Sequence, residues 1–123
     1  MTRERLALGA WGEERAGEFL QARGWTILAR NFRCPLGEVD IIARDGNQLI
    51  FVEVKTRRTT AFGLPQEAVG SRKQQQLIRV AQWYLKGYKD QRINPRFDVL
   101  AVLWQRDGTA QIDHFVNAFS LSG

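Results

Sequence analysis

The sequence is poor in the residues that build cross-linked or zinc-stabilised proteins. It has one cysteine, Cys34, and one histidine, His114. A lone cysteine excludes an internal disulfide framework and any zinc site with several cysteines, and a lone histidine excludes sites built on a histidine pair. Long apolar runs are also missing, since the longest, at 99–104, has six residues and a membrane-spanning helix needs about 20. No apolar segment of signal-peptide type follows residues 2–5, so we expect a cytoplasmic protein without a membrane partner.

What the chain does contain is a globular composition with a basic balance. Its 123 residues are 44% hydrophobic and 11% aromatic, which excludes disorder over the whole length and predicts a single domain over residues 1–123. Lys and Arg number 18 against 13 Asp and Glu, for a net charge of +5, and 14 of the 18 are arginines. Because the planar arginine fork matches phosphate oxygens, this balance favours a nucleic-acid partner about as much as a solvated basic surface.

Periodicity along the chain predicts an α/β fold with the element order αβββαββ. Apolar residues at helical spacing indicate helices at 2–23 and 71–87. Turn-type residues at 31–37 and a polar loop at 57–65 separate runs that read as strands. Five strands are predicted, at 25–30, 38–44, 48–56, 96–105 and 110–119. This order implies a mixed five-stranded sheet flanked by helices.

The hairpin of the second and third strands is the most informative stretch. A two-residue loop at 46–47 pairs residue 45 with 48 and, counting outwards, Asp40 with Glu53. Because side chains alternate between faces, one face is predicted to be an apolar core surface made by Val39, Ile41, Ala43, Ile50, Val52 and Val54. The other face carries three cross-strand pairs, namely Ile42 with Phe51, Asp40 with Glu53 and Glu38 with Lys55.

Two opposed carboxylates destabilise a strand pair, because directly opposed Cβ atoms lie only about 5 Å apart. A hard divalent cation such as Mg²⁺ or Mn²⁺ offsets the repulsion and prefers carboxylate oxygens as ligands. Without metal, the same proximity raises the pKa of at least one of the two carboxyls. Asp40 and Glu53 are therefore predicted to hold a divalent metal.

Two further side chains are candidates for the same site. Glu13 lies at the edge of the apolar face of the first helix and can reach the polar patch of the sheet; alternatively, it complements the helix dipole. Lys55 shares a face with Glu53, where its ammonium can hold a water nucleophile or neutralise charge on a phosphate transition state. The alternative for Lys55 is a weak surface ion pair with Glu38. Carboxylates, a metal and a lysine are the groups that phosphodiester hydrolysis needs.

Four basic residues near this site are candidates for holding phosphate groups. Arg57 and Arg58 follow Lys55, and Arg72 and Lys73 lie in the first turn of the second predicted helix. Cations at a helix N-terminus oppose the helix dipole, which suggests that an anion comes to that end. The alternative is that Arg72 and Lys73 are simply solvated.

Several short motifs together resemble the bacterial YraN family over nearly the whole chain. They include Gly12-Glu13, Asn31-Phe32-Arg33, Gly37-Glu38-Val39-Asp40-Ile41-Ile42, Phe51-Val52-Glu53-Val54-Lys55-Thr56-Arg57, Phe62-Gly63 with Pro65, Lys73, Arg96-Phe97-Asp98-Val99 and Asn117-Ala118-Phe119. That family resembles compact PD-(D/E)xK nucleases, close to archaeal Holliday-junction resolvases.

The resemblance implies a restriction-endonuclease-like fold and a set of roles. Glu13, Asp40 and Glu53 would bind a divalent metal, with the Val54 carbonyl as a further ligand. Lys55 would be the catalytic lysine. Val39 stands where the superfamily's name has proline, a common variation that does not touch the chemistry.

These observations predict a Mg²⁺- or Mn²⁺-dependent endonuclease acting on DNA, including branched or damaged DNA. A homodimer is compatible with cutting two strands of a junction. One alternative is a non-catalytic nucleic-acid-binding module on the same fold. Another is an assembly protein in which the acidic cluster is a structural ion network.

Overall fold

The computed structural model describes residues 3–58, 69–88 and 93–119. These ranges contain, in order, α1 (Arg3–Ala22), β1 (Thr26–Cys34), β2 (Gly37–Asp45), β3 (Gln48–Arg57), α2 (Ser71–Leu85), β4 (Arg96–Trp104) and β5 (Ala110–Phe119). The strands form one sheet in the order β1-β2-β3-β4-β5, with β3 and β4 parallel and the other neighbours antiparallel. The predicted α/β class, mixed sheet and element order are confirmed. Most of the predicted loop at 57–65, with the motif at 62–65, lies outside the described residues.

Each face of the sheet is covered by one helix, which produces two apolar clusters. α1 packs Ala16 and Leu20 onto one face, against a cluster that includes Ile41, Val52 and Leu100. α2 covers the other face with residues of a cluster that includes Leu77, Ile78, Ile42, Phe51, Phe97 and Val99. β3 and β4 are buried on both faces, which explains why they read as continuous apolar runs. None of the described helices has the length and apolarity needed to cross a bilayer.

The boundaries differ from prediction at the β1–β2 turn. β1 continues to Cys34, so most of the predicted turn at 31–37 is strand. Gly37, at φ +145°, opens β2, and the position that a Cβ would take there is filled by the Gln76 side chain of α2. A glycine is therefore required by both conformation and space.

One predicted face assignment is wrong, because alternation fails near Asp40. Val39 belongs to the cluster under α2, whereas Ile41 belongs to the cluster under α1. Across from this point in β1, Asn31 has a φ of 49°, a left-handed conformation that asparagine adopts more readily than most residues. The predicted hairpin register is correct from Asp45↔Gln48 to Ile41↔Val52. The backbone pairing of β2 with β3 ends at Ile41↔Val52.

A buried ion cluster ties the C-terminal end of α1 to the sheet. Asp98, 1% exposed, accepts two hydrogen bonds from Arg96 (2.9 and 2.8 Å) and one from the Asn117 N–H (2.9 Å). His114 Nε2 donates to Asp98 at 2.7 Å, while its Nδ1 accepts from Arg23 at 2.8 Å, since arginine can only donate. Burial opposes ionisation of Asp98, but the hydrogen bonds from His114, Arg96 and Asn117 prevail and lower its pKa.

Asp98→Ala is expected to destabilise the protein by about 3 kcal/mol, because it leaves Arg96 and His114 without their buried partner. A lowered pKa contributes stability that is present above the ordinary carboxyl value of 3.8 and is lost as pH falls below it. The difference in the free energy of unfolding between wild type and Asp98→Ala should therefore become smaller as the pH is lowered below this value. Urea unfolding at neutral and acidic pH measures both effects.

The matched control is Asp113→Ala, at an exposed position of β5, which should change stability by less than about 0.5 kcal/mol. Equal effects of the two substitutions would contradict the role given to Asp98.

Candidate functional site

A cleft of about 960 Å³ opens beside the N-terminal half of α1, between that helix and the sheet. Glu13, Glu38, Asp40 and Lys55 line it, together with four arginines, Arg5, Arg33, Arg57 and Arg58. Acidic groups and one lysine thus share a cavity with a basic rim. The predicted phosphate-binding residues Arg57 and Arg58 lie in this cleft, whereas Arg72 is exposed on α2 and is not among its lining residues.

Asp40 lies where β2 and β3 separate. Beyond the last ladder pair, Ile41↔Val52, the backbone N–H of Val54 donates to Asp40 Oδ2 at 2.7 Å. A side-chain oxygen thus provides the next link between the two strands. This bond positions the carboxylate in the gap between the strands.

From that gap, Asp40 is hydrogen-bonded to two other carboxyl groups, one on each face of the sheet. Glu13 reaches it from α1, and Glu53 reaches it from β3, on the face that α2 covers. Asp40 and Glu53 do not occur as a ladder pair, but the prediction that they lie close together agrees with this contact. The three predicted carboxylates therefore form a chain with Asp40 in the middle.

The helix reaches the site because Gly12 allows a close approach. The position that a Cβ would take on Gly12 is filled by the side chain of Thr56 in β3. Any larger residue at position 12 would force α1 and β3 apart. Glu13, the next residue, is thereby held near Asp40 and near Asn31, whose side chain also hydrogen-bonds Glu13.

Both outer carboxyls of the chain hold protons more tightly than usual. Burial, then the hydrogen bond and charge of Asp40, raise the pKa of Glu53 to about 8, against the pull of Lys73 and Lys55. Burial and the charge of Asp40 also raise the pKa of Glu13, although the Asn31 hydrogen bond acts in the other direction. At neutral pH the Glu53 carboxyl therefore keeps its proton and can donate a hydrogen bond to an Asp40 oxygen.

Lys73 lies in the first turn of α2, as predicted, but its side chain points to the acidic cluster and not to the cleft. Its Nζ is 3.3 Å from Glu53 Oε2, so it contacts the acidic cluster from the α2 face and is not among the residues that line the cleft. It also donates to Gln76 Oε1 at 3.1 Å. These contacts connect Lys73 to Glu53, and its assignment as a phosphate-binding residue stays a prediction.

The oxygen atoms of Glu13, Asp40 and Glu53 are chemically suited to a hard divalent cation. Three carboxyl groups joined in a chain offer the oxygen ligands that Mg²⁺ and Mn²⁺ prefer. Without a metal ion, the protons shared between these groups neutralise part of their negative charge. The chain is not a preformed coordination sphere. Among residues 3–58, 69–88 and 93–119, no three Asp, Glu, His or Cys side chains are arranged to hold a metal ion.

Sequence reasoning missed the contributions of Asn31 and Gln76. Asn31 bonds Glu13 and marks the irregularity in β1, and the one signal for it was the tolerance of asparagine for the left-handed region. Gln76 holds Lys73, a contact that depends on how α2 packs and has no local signal.

Comparison with known sequences places the chain in a family. The sequence model of the uncharacterised protein family UPF0102 matches residues 12–102. The chain belongs to family UPF0102. The matched span includes Glu13, Asp40, Glu53 and Lys55, and the resemblance to the YraN family is confirmed, since this is the same family.

Relatives in UPF0102 match over nearly their whole length. The UPF0102 protein of Syntrophotalea carbinolica is 53% identical over 123 residues, which cover 100% of this chain and 99% of the relative. That of Geotalea daltonii is 50% identical over 115 residues, 94% of this chain and 91% of the relative. That of Caldicellulosiruptor saccharolyticus is 50% identical over 113 residues, 91% and 96% respectively.

In the presence of chelator, Glu53→Gln is expected to stabilise this UPF0102 protein at alkaline pH. Folding raises the pKa of Glu53 from an ordinary 4.5 to about 8. Wild-type stability should therefore fall as pH rises between these values, because the unfolded chain releases a proton that the folded chain keeps. A neutral amide has no such loss, so the free energy of unfolding of the variant relative to wild type should increase by about 4 kcal/mol between pH 4 and pH 8.

Thermal unfolding in EDTA across this pH range measures the gain, with the exposed Glu18→Gln as control. A difference between Glu53→Gln and wild type that stays constant with pH would contradict the raised pKa.

Proposed function

We propose that this protein is a divalent-metal-dependent nuclease that hydrolyses phosphodiester bonds in DNA. The observation that carries the proposal is the meeting of Glu13, Asp40 and Glu53 in one carboxyl chain beside a cleft that also exposes Lys55. Arginines on the same cleft supply the positive surface that a phosphate backbone requires. The resemblance to junction resolvases favours DNA as the substrate.

In this mechanism the three carboxyls would hold Mg²⁺ or Mn²⁺, with the Val54 carbonyl as the further ligand implied by family resemblance. When bound, a divalent ion supplies Lewis-acid charge to the scissile phosphate. The Val54 N–H keeps Asp40 in the gap between the strands. Glu53 must lose its proton to act as a ligand, so metal affinity should increase as pH approaches 8.

Lys55 is the group of this site that faces the substrate. It lines the cleft, and its positive charge also acts on Glu53. An ammonium in this position can orient an attacking water and neutralise the charge that develops on the phosphate. Arg57 and Arg58 extend the positive surface along the same wall, where they would hold phosphates next to the one being cut.

A non-catalytic nucleic-acid-binding module is the second candidate. The observation that favours it is that, among the described residues, the carboxyls do not converge around one point. Such a module would use the same arginines without turnover. The two candidates share a ligand and differ in whether metal binding and cleavage occur.

Lys55→Met is expected to retain DNA binding and to reduce cleavage by a factor of about 100 or more, because the charge that acts in the transition state is removed. Fluorescence anisotropy measures binding, and gel assays with branched, single-stranded and duplex DNA in Mg²⁺ or Mn²⁺ measure cleavage. The control is Lys86→Met, at the exposed C-terminal end of α2. Equal cleavage by Lys55→Met and wild type would disprove the assigned role.

Asp40→Asn separates the nuclease from its alternatives without an activity assay. Wild-type Tm should rise with Mg²⁺ or Mn²⁺, and the variant's should not. In EDTA the variant should melt higher than wild type, because repulsion is relieved while an amide oxygen still accepts from the Val54 N–H. Salt-dependent DNA binding without any metal response or cleavage would support the binding module, and a lower Tm of the variant in every buffer would support a structural ion network.

Arg58→Ala is expected to weaken DNA binding and to reduce the slope of log K against log salt by about 1, as loss of one phosphate contact does. Arg72→Ala should leave both quantities unchanged, since Arg72 is not among the residues that line the cleft. Binding titrations over a range of salt concentrations measure both. An unchanged slope in Arg58→Ala, or equal losses in the two variants, would argue against the cleft as the binding surface.

A further inference from the structure

Asn31 of β1 lies at the level of Asp40 in β2. The two are not a backbone pair, but the pairing of β1 with β2 places them at one level, between one pair that faces α1 and one that faces α2. Both strands therefore change face at the same level, and Asn31 and Asp40 are the residues at which they change. The flanking pairs are Arg30↔Ile41 on the side of α1 and Phe32↔Val39 on the side of α2.

The backbone at Asn31 is left-handed, with a φ of 49°. Glycine adopts this conformation without strain, and Asn31 is exposed, so the change of face does not itself require an amide side chain. Asparagine is one of the few residues with a side chain that tolerates the left-handed region. What asparagine adds over glycine is an amide, and this amide hydrogen-bonds Glu13.

The Glu13 side chain borders open space that packing does not fill. Glu13, Asn31 and Asp40 line the cleft of about 960 Å³ and also a second cavity of about 210 Å³. The charges of Asp40 and Glu38 repel an ionised Glu13. The Asn31 amide can donate to the Glu13 carboxylate, so this bond opposes the repulsion and limits where the side chain can turn.

We propose that Asn31 is the positioning residue for Glu13: its amide keeps the Glu13 carboxyl beside Asp40 and thereby increases the affinity of the carboxyl chain for a divalent ion. The inference rests on the proposed function in so far as the chain binds metal. Replacing a residue that holds a metal ligand through a hydrogen bond commonly weakens metal binding by about 10- to 100-fold. In this role Asn31 acts through Glu13 and is not itself a ligand.

The affinity for Mn²⁺ at a fixed pH tests the effect on metal binding. Asn31→Gly keeps the left-handed backbone and removes the amide, so its Kd, measured by isothermal titration, should rise about tenfold or more. The matched control is Asn117→Gly, because Asn117 also has a left-handed backbone, with a φ of 52°, and is not among the residues that line the cleft. Its Kd should equal that of wild type, and circular dichroism verifies that both variants fold. If Asn31 served the backbone alone, Asn31→Gly would bind Mn²⁺ as tightly as wild type, and the proposal would be overturned.

A double-mutant cycle in EDTA tests the contact itself in the absence of metal. Asn31→Gly should lower the Tm of wild type, and it should lower the Tm of Glu13→Ala by less, because the partner of the amide is missing there. Equal losses of Tm in the two backgrounds would overturn the positioning role.

The two measurements separate this inference from the proposed function. A wild type that binds no Mn²⁺ would contradict both the metal-dependent nuclease and the effect of Asn31 on metal affinity. A wild type that binds Mn²⁺ with the same Kd as Asn31→Gly would overturn the role of Asn31 alone and leave the nuclease proposal standing.

Discussion

The hydrogen bond from the Val54 N–H to Asp40 Oδ2 is the interaction on which the candidate site depends. It holds the Asp40 carboxylate between β2 and β3 after their backbone ladder has ended. A side chain that pointed to one face of the sheet would meet the groups of that face alone. From the gap, Asp40 bonds Glu13 under one helix and Glu53 under the other, so an interruption of the sheet connects its two faces.

The two ends of α1 lie in clusters of different charge composition. Near its N-terminal half, Glu13 contributes to a cluster whose negative charges repel one another. Beyond its C-terminal end, Arg23 joins a cluster in which Asp98 is fully satisfied by donors. Functional sites commonly break local rules that the rest of the fold obeys. The Asp98 cluster holds the C-terminal end of α1 to the sheet, and Glu13 connects the N-terminal half of the helix to the carboxyl cluster.

Patterns that act over a few residues predicted much of the fold and the site. The two-residue hairpin loop predicted the register down to Ile41↔Val52, and with it the proximity of Asp40 and Glu53. What failed depended on single residues or on distant packing. Strict alternation could not anticipate the left-handed Asn31 that accompanies the misassigned face of Val39. No local pattern could place Lys73 on Glu53, because that contact depends on how α2 packs over the sheet.

The same irregular asparagines bear on how copies of the chain can associate. Asn31 and Asn117 lie in the two outermost strands, both with positive φ, and the pairing of each outer strand with its neighbour shifts register once. A flat outer strand is a template on which another chain can extend a sheet, and kinks and bulges blunt that template. Continuous sheet growth across molecules is therefore disfavoured at both margins of the described sheet.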